Sequence, residues 1–403
     1  MFIMRMFIPA YIIGCILALI IWNGMKREID KDPARAAGKR RRTVNMWLWN
    51  IFFVAMSSLS LLCLALPQGT LERRVKAVAN VWLDVQIYAG LLSLLPVIAW
   101  GANWLFHYAD EKRFRKMLSV FAILIPVGTA ALIAEGTWSC YHTVVTKVEA
   151  ECAKSAGDLR SMKVVVLADL HLNTNTSPEQ MENVVRLVNA EDPDLVIVAG
   201  DIFTSSYAEL KNPERYEQIF SQMTAKYGVY ATWGNHDNEE VLFCGFPQSP
   251  IKECFRPDTM YDFVRKCGFT LLEDESVEIA DGQVTLIGCM DNQKKGDGTS
   301  DDLSPAELME GIDVSKPVIV AQHEPEELEE WSSLGADLFV SGHTHAGQTW
   351  PGSMFTEIFN EANYGPGQIG DLTYYTTSGV GFFGPPMRVG TKSEIAVIEW
   401  NFR

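Results

Sequence analysis

The chain has 403 residues, enough for two or three domains, and 48% of them are hydrophobic. Its net charge of −16 is uneven: residues 1–150 carry 17 basic and 9 acidic side chains (net +8), whereas residues 151–403 carry 17 and 41 (net −24). A surface that follows nucleic-acid phosphates needs a basic stripe, so we predict that nucleic acid is not the main partner.

The N-terminal part is predicted to be an all-α transmembrane domain of four helices. Four apolar stretches without a polar face each approach the roughly 20 residues that cross a bilayer, which favours spans over a soluble helical bundle. These stretches lie at about 6–22, 46–66, 81–106 and 117–135. Tryptophans near their ends are typical of membrane interfaces. We therefore expect a transmembrane domain over 1–140 and a linker over 141–161.

The loops between the predicted spans set their orientation. Eight basic residues separate the first two spans between Lys26 and Arg42, and four separate the last two between Lys112 and Lys116. The opposite side has only Arg5, Arg73, Arg74 and Lys76. Because basic loops stay in the cytoplasm, both ends of the predicted transmembrane domain are expected on the extracytoplasmic side of the cell (inner or cytoplasmic) membrane. The C-terminal domain would lie on that side as well. Asp84 and Glu135 are expected near the interfaces, where charged side chains are usually structural.

From about residue 162 the pattern changes to short apolar runs alternating with a helical one. The segment 162–171 reads as a buried strand, and 177–190 as a helix with Ser177 as N-cap and Pro178 at its first position. Four more strands are predicted in the segments PDLVIVAGD, GVYATWGNHD, KPVIVAQHE and ADLFVSGHTH. Strands that alternate with helices indicate a layered α/β domain over 162–403.

Histidines and carboxylates follow these strands in five short motifs. The motifs are Asp169-Leu170-His171, Gly200-Asp201, Gly234-Asn235-His236-Asp237, His323 and Gly342-His343-Thr344-His345. All lie at or just past the carboxyl end of a predicted strand, where open α/β sheets place their sites. If the backbone stays extended there, side chains two residues apart point the same way, so Asp169 with His171, and His343 with His345, can bind one cation together. Nitrogen and oxygen ligands without cysteine suit Mn, Fe, Zn or Ni and do not choose among them.

The five motifs in this order resemble the pattern of the calcineurin-like metallophosphoesterase superfamily: D-x-H, G-D, G-N-H-D/E, H and G-H-x-H. The resemblance covers about 162–403 and is closest to a bacterial membrane-associated branch whose last motif reads GHTHxGQ, as Gly342–Gln348 does. It implies an α/β metallophosphoesterase sandwich of two sheets flanked by helices.

The resemblance also implies roles for individual residues. Two divalent ions would share Asp201, and a hydroxide bridging them would be the nucleophile. The first ion would be held by Asp169, His171, Asp201 and His345. The second would be held by Asp201, Asn235, His323 and His343. His236 would be the catalytic residue that contacts a phosphate oxygen and assists the leaving group. Asp237 is expected to orient its loop, and Arg388 either to meet substrate or to be structural.

The expected function is that of a membrane-anchored two-metal phosphoesterase that hydrolyses phosphodiesters. Two apolar sets could face the membrane and receive a lipid-linked substrate, or could be ordinary core. They are Phe243, Phe246 and Phe255, and Trp350, Met354, Phe355, Ile358 and Phe359. One alternative is a pyrophosphatase or phosphomonoesterase acting on nucleotide-linked lipids. Another is a membrane sensor or transport-accessory protein whose outer domain only binds. Cys244 and Cys254 are equally compatible with a disulfide and with free thiols.

Overall fold

A computed structural model describes most of the chain. The described residues are 2–32, 38–67, 69–239, 242–243, 246–247, 255–291, 302–360 and 362–403. The chain divides into two compact units. Met1–Glu135 with Leu242–Pro250 form what we call the helical unit, and Gly136–Val241 with Ile251–Arg403 form the sheet unit.

Four long helices build the helical unit, as the sequence predicts. They are α1 (Phe2–Ile29), α2 (Lys39–Cys63), α3 (Thr70–Phe106) and α4 (Glu111–Tyr141), whose last residues belong to the sheet unit. Each is long and apolar enough to cross a membrane. Large apolar side chains such as Ile20, Ile98 and Ile123 are exposed on their outer faces. An exterior of this kind is stable in hydrocarbon, so the chain is a membrane protein.

Helix α3 is longer than the predicted span and carries a buried polar stripe. It begins at Thr70 rather than near 81, because the preceding residues are good helix formers. Asp84, near the start of the predicted span, lies well inside this longer helix, and its place near the membrane interface stays a prediction. Glu72, Lys76, Asn80 and Asp84, spaced four residues apart, are all buried. Lys76 Nζ pairs with Glu72 Oε1 at 2.5 Å, so the spans hold more buried polar groups than the sequence suggests.

The segment that follows the third motif belongs partly to the helical unit. Strands β5 (Leu242–Phe243) and β6 (Phe246–Pro247) pair as a small hairpin. Phe243 is buried beside Leu83, and its ring meets that of Tyr11 edge-on at 5.7 Å. Of the two alternatives for Phe243, a membrane-facing surface or ordinary core, the structure supports core. Cys244 and Cys254, the predicted alternative disulfide, lie outside the described residues.

Two six-stranded mixed sheets form the sheet unit. The first has the order β1-β14-β2-β3-β4-β7 and the second β12-β13-β11-β10-β9-β8. The strands of the first are β1 (Thr143–Cys152), β2 (Ser161–Leu167), β3 (Leu195–Ala199), β4 (Val229–Thr232), β7 (Thr270–Leu271) and β14 (Ser393–Phe402). Those of the second are β8 (Glu275–Ile279), β9 (Val284–Gly288), β10 (Val318–Ala321), β11 (Leu338–Ser341), β12 (Gly365–Ile369) and β13 (Leu372–Thr376).

Helices cover the outer faces of both sheets, which confirms the predicted fold class. They are α5 (Pro178–Ala190), α6 (Pro213–Phe220), α7 (Asp258–Lys266), α8 (Pro305–Leu308) and α9 (Leu328–Leu334). A further short helix, α10 (Gly352–Phe359), follows the last motif and packs on its turn. Between the sheets, Val164 and Ile197 of the first pack in one core with Leu286 and Ile319 of the second. As predicted, α5 begins at Ser177, whose hydroxyl accepts a hydrogen bond from Gln180 N at 3.1 Å.

The segment for which a linker is expected, 141–161, contains an edge strand of the first sheet. Strand β1 pairs in parallel with β14 along its whole length, from Thr143 opposite Ser393 to Cys152 opposite Phe402. Ala150 and Cys152 point into the core between the sheets. This alternation of side chains with a period of two is the sequence signal for the strand.

Candidate metal centre

The five motifs follow strands of both sheets, as the sequence predicts. The first three come directly after β2, β3 and β4, which are parallel neighbours in the first sheet. The last two come after β10 and β11, parallel neighbours in the second sheet. Backbone hydrogen bonds join the first two motifs, because Asp169 N donates to Gly200 O and His171 N to Asp201 O. The two sheets thus bring their polar ends to one place.

The backbone of these motifs is left-handed rather than extended. Five non-glycine candidate ligands have positive φ: Asp169 (53°), His171 (44°), Asp201 (53°), His343 (71°) and His345 (52°). The sequence analysis assumed an extended backbone to explain why side chains two residues apart point the same way. That assumption is wrong, since the strands end before the motifs. Each such conformation costs on the order of 1–3 kcal/mol and persists where surrounding structure imposes it. Such a concentration of strained residues indicates a functional site.

Asp169, His171 and His345 form the first cluster of possible metal ligands. His171 Nε2 and His345 Nε2 lie 3.0 Å apart. Asp169 Oδ1 is 3.3 Å from His345 Nε2 and 3.9 Å from His171 Nε2. All three side chains are buried, so their polar atoms converge where water is largely excluded.

Asp169, Asp201 and His323 form the second cluster. Asp201 Oδ2 is 3.1 Å from His323 Nε2 and 3.5 Å from His171 Nε2, so this carboxylate faces both clusters. His323 Nδ1 lies 2.9 Å from Ala199 O, and a proton on Nδ1 would be donated to that carbonyl. That contact orients the ring and turns Nε2 toward the carboxylates.

The distances fit divalent ions. A cation with bonds of about 2.1 Å holds neighbouring ligand atoms roughly 3.0–3.4 Å apart, as several of these pairs are. Asn235 Oδ1 is also buried and has no hydrogen-bond partner among the described residues, which costs free energy unless a cation or donor meets it. The nitrogen and oxygen donors suit a divalent transition metal.

Two further predicted residues lie beside these clusters. His343 is in neither cluster: its ring is 5.3 Å from that of His323, and its Nδ1 is 3.6 Å from Glu324 Oε1. The backbone N–H of His236 donates to Asp201 Oδ1 at 2.8 Å, which links the third motif to the second. The imidazole of His236 is 5.7 Å from that of His171, ring centre to ring centre.

Phe383 and Gln348 are site residues that the sequence analysis did not assign. The Phe383 ring stacks on His236 at 4.4 Å, with 23° between the ring planes. Gln348 holds the backbone of Phe383 through both amide atoms: Nε2 donates to Phe383 O, and Phe383 N donates to Oε1, each at 2.8 Å. Gln348 is the last residue of the GHTHxGQ motif, so that motif was the sequence signal that could have identified Gln348 as a site residue.

Arg388 and Asp237 stabilise the backbone around the site through hydrogen bonds. Arg388 is fully buried, and its Nη2 donates to Ser378 O at 2.7 Å and Gly381 O at 2.6 Å. The same nitrogen is 3.2 Å from His345 Nδ1, so Arg388 has a structural role next to this ligand candidate. Asp237 accepts hydrogen bonds from Phe203 N at 2.7 Å and Gly234 N at 2.8 Å. It therefore orients its loop, as expected.

Close backbone approach requires glycine at two motif positions. Gly200 has φ +76°, and a Cβ there would lie 2.6 Å from His323 Nδ1. A Cβ on Gly342 would lie 2.4 Å from Asp169 Oδ2. Any side chain at either position would displace a candidate ligand.

Burial and mutual charge shift the pKa values of the clustered groups in the metal-free protein. Burial, together with the charge of Asp201, raises the pKa of Asp169 to about 7. Burial lowers the pKa of His171 to about 3. Burial alone would lower the pKa of His323, but the negative charge of Asp201 has the larger effect. It holds the pKa of His323 well above its usual range. Without a bound cation, these shifts favour the neutral imidazole of His171 and the protonated imidazole of His323.

We expect metal binding to release protons and to weaken as the pH falls. Asp169 and His323 have raised pKa values, so each keeps its proton until the pH rises through that value, and a cation must displace both protons. Calorimetric titration of Mn²⁺ into the metal-depleted full chain, in two buffers of different ionisation enthalpy, measures this release. An affinity that does not change between about pH 6 and 8 would contradict the expected competition between metal and protons.

Comparisons with known proteins agree with this geometry. Residues 162–347 match the family model described as calcineurin-like phosphoesterase. A transmembrane protein with metallophosphoesterase domain from Bos taurus is 26% identical over 324 residues, covering 77% of this chain and 68% of the relative. An uncharacterized metallophosphoesterase of Aquifex aeolicus is 28% identical over 59% of this chain and 84% of its own. The UDP-2,3-diacylglucosamine pyrophosphatase LpxG of Chlamydia trachomatis is 23% identical over 51% and 71%.

Proposed function

Because residues 162–347 form a calcineurin-like metallophosphoesterase domain, this membrane protein is a metal-dependent phosphoric ester hydrolase, and we propose that it cleaves phosphodiesters, including lipid-linked ones. One observation carries the proposal. Two clusters of buried ligand atoms from both sheets share Asp169, and neighbouring atoms in and between them lie 3.0–3.9 Å apart. Asp201 faces both clusters.

The proposed centre holds two ions. Asp169, His171, Asp201 and His345 would ligate the first, and Asp201, Asn235, His323 and His343 the second. The position of Asp201 between His171 and His323 supports its role as shared ligand. When bound, the two ions supply positive charge for the phosphoryl oxygens and a hydroxide nucleophile formed from a water of lowered pKa.

The proposed role of His236 is to hold a proton for the leaving oxygen. Its backbone is tied to Asp201 Oδ1, so the ring sits beside the clusters without being a member of either. Stacking on Phe383 restricts the tilt of the imidazole. A ring held in this way can meet one phosphate oxygen or the leaving group in a defined orientation.

We propose that the sheet unit lies on the extracytoplasmic side of the cell (inner or cytoplasmic) membrane. The support is the positive-inside rule: basic residues are in excess between α1 and α2 and between α3 and α4, and the sheet unit follows the other end of α4 in the chain. The functional division we propose is 1–140 for the membrane part and 162–403 for the hydrolase. The connecting segment 141–161 also supplies β1 to the first sheet of the hydrolase.

A second candidate is hydrolysis of a pyrophosphate in a nucleotide-linked lipid. It is favoured by the similarity to the Chlamydia trachomatis protein, which is a pyrophosphatase of UDP-2,3-diacylglucosamine by name. The same centre could serve both reactions, since each attacks a phosphoryl group with an oxygen leaving group. A third candidate is a sensor or transport-accessory role, favoured by the polar stripe of α3.

The test is to measure hydrolysis by the full chain in detergent. We expect turnover of a chromogenic phosphodiester with Mn²⁺, in excess over the matching monoester and abolished by chelation. A UDP-linked diacyl lipid in the same assay separates the second candidate, for which pyrophosphate cleavage would exceed diester cleavage. Failure to turn over any of the three substrates despite two bound ions per chain would contradict the hydrolase proposal and leave the sensor role.

A further inference from the structure

The short helix α10 presents apolar side chains to the outside of the sheet unit. Trp350 is 53% exposed, Met354 58%, Phe355 59% and Ile358 72%. The described part of the sheet unit has few other exposed large apolar residues, and none forms such a run. Single exposed apolar residues are common on soluble proteins, but a contiguous group marks an interaction surface.

The polar side of α10 faces inward, which is the reverse of a surface helix on a soluble protein. Ser353 and Thr356 pack on the turn His345–Gly347. A Cβ on Gly347 would lie 2.2 Å from Ser353 Cα and 2.7 Å from Thr356 Oγ1. Moving one large apolar side chain out of water is worth about 1.5–3 kcal/mol, so this arrangement is unfavourable unless an apolar medium covers the outer side.

The bilayer is the apolar medium that this chain supplies. The same polypeptide has four helices able to cross a membrane, so its sheet unit is tethered to lipid. Trp350 and Tyr364, 47% exposed, are residue types that favour the headgroup level. Glu357 is exposed on the same helix, which suits shallow contact with headgroups rather than deep insertion.

We propose that α10 and Trp350, here called the apolar helix surface, dock into the headgroup–acyl boundary of the phospholipid bilayer. Because α10 packs on the turn that begins with His345, this brings the metal centre within one short helix of the membrane surface. If the proposed function holds, that is where the phosphate of a lipid-linked substrate lies.

Photo-crosslinking of the full chain in nanodiscs of phosphatidylcholine and phosphatidylglycerol tests the docking. Phe355 is replaced by p-benzoyl-phenylalanine in one variant and Ile358 in another. The matched control carries the same probe at Val314, an apolar residue of the sheet unit that is also exposed, at 44%. After illumination, mass spectrometry counts lipid adducts per chain. We expect about tenfold more lipid adduct at the two α10 positions than at Val314, because only a docked side chain stays at the headgroup–acyl boundary.

Equal lipid adduct at all three positions would overturn the proposal, and so would a covalent dimer as the main product at Phe355 and Ile358. A covalent dimer would mean that the apolar helix surface binds a second copy of the chain instead of the bilayer. Crosslinking needs no turnover, and hydrolysis of a soluble diester is measured in the same samples. Adducts without hydrolysis would support the docking while removing the proposed function. If the chain hydrolyses the diester but adducts at Phe355 and Ile358 are no more frequent than at Val314, the proposed function stands and the docking is overturned.

Discussion

Asp201→Asn is expected to lower phosphodiester turnover by about 10³-fold or more, the scale at which single members of a catalytic unit act. The carboxylate faces His171 Nε2 at 3.5 Å and His323 Nε2 at 3.1 Å, so both proposed ions would lose a ligand together. Asparagine keeps the shape but removes the negative charge that offsets the cations. The measurements are kcat/KM with a soluble diester and the metal content per chain.

The matched control for this variant is Asp262→Asn. Asp262 is exposed on α7 and pairs only with Arg265 of the same helix among the contacts described, at 2.9 Å. An exposed ion pair of this kind contributes little to stability, so activity and metal content should match the unaltered chain. An Asp201→Asn protein that binds two ions and keeps full turnover would show that Asp201 is not the shared ligand.

His236→Ala is expected to retain its metal ions and to lose about 10²–10⁴ in turnover, the usual contribution of an acid or base. The side chain belongs to neither ligand cluster, although its backbone N–H is bonded to Asp201. If His236 protonates the leaving oxygen, the loss should be large for a diester with an alkyl leaving group. It should be much smaller for a nitrophenyl leaving group, which departs without a proton.

His142→Ala serves as the control for His236→Ala. His142 is exposed and stacks on Trp138 at 4.3 Å, and its Nδ1 is 2.8 Å from Trp138 O. Its removal should leave turnover of both diesters and the metal content unchanged. Loss of a metal ion in His236→Ala would mean that the imidazole is a ligand. An equal loss with both leaving groups would mean that it contacts a phosphate oxygen instead of donating a proton.

Local patterns in the sequence were sufficient for the four long helices, for α5 and for the five strands that precede the motifs. Apolar stretches of about 20 residues locate the four helices because a bilayer requires that length. Ser177 and Pro178 predict the start of α5 because side-chain capping and proline geometry act within a few residues. The position of every motif after a strand was predictable for the same reason, since a buried run and its polar end are adjacent in the chain.

Contacts between distant residues were not predictable in this way. Strand β1 pairs with β14, whose partner residues are 250 positions away in the chain. Neither strand specifies the other locally, so the alternation within 141–161 indicates a strand but not the sheet to which it belongs. The sequence likewise leaves open whether Phe243 faces the membrane or lies in a core, and contacts with Leu83 and Tyr11, which are distant in the chain, decide for the core.

The sequence alone predicted which residues would bind metal, because donor atoms and their order along the chain are properties of composition and strand position. Only the tertiary structure decided how the donors meet. Left-handed turns at Asp169, Asp201 and His345 replace the extended geometry, and they persist because both sheets hold them. The tertiary structure also decided that Phe383 stacks on His236 and that the apolar side of α10 faces outward. The physical reason is the same in each case: packing between remote segments, not local preference, sets these orientations.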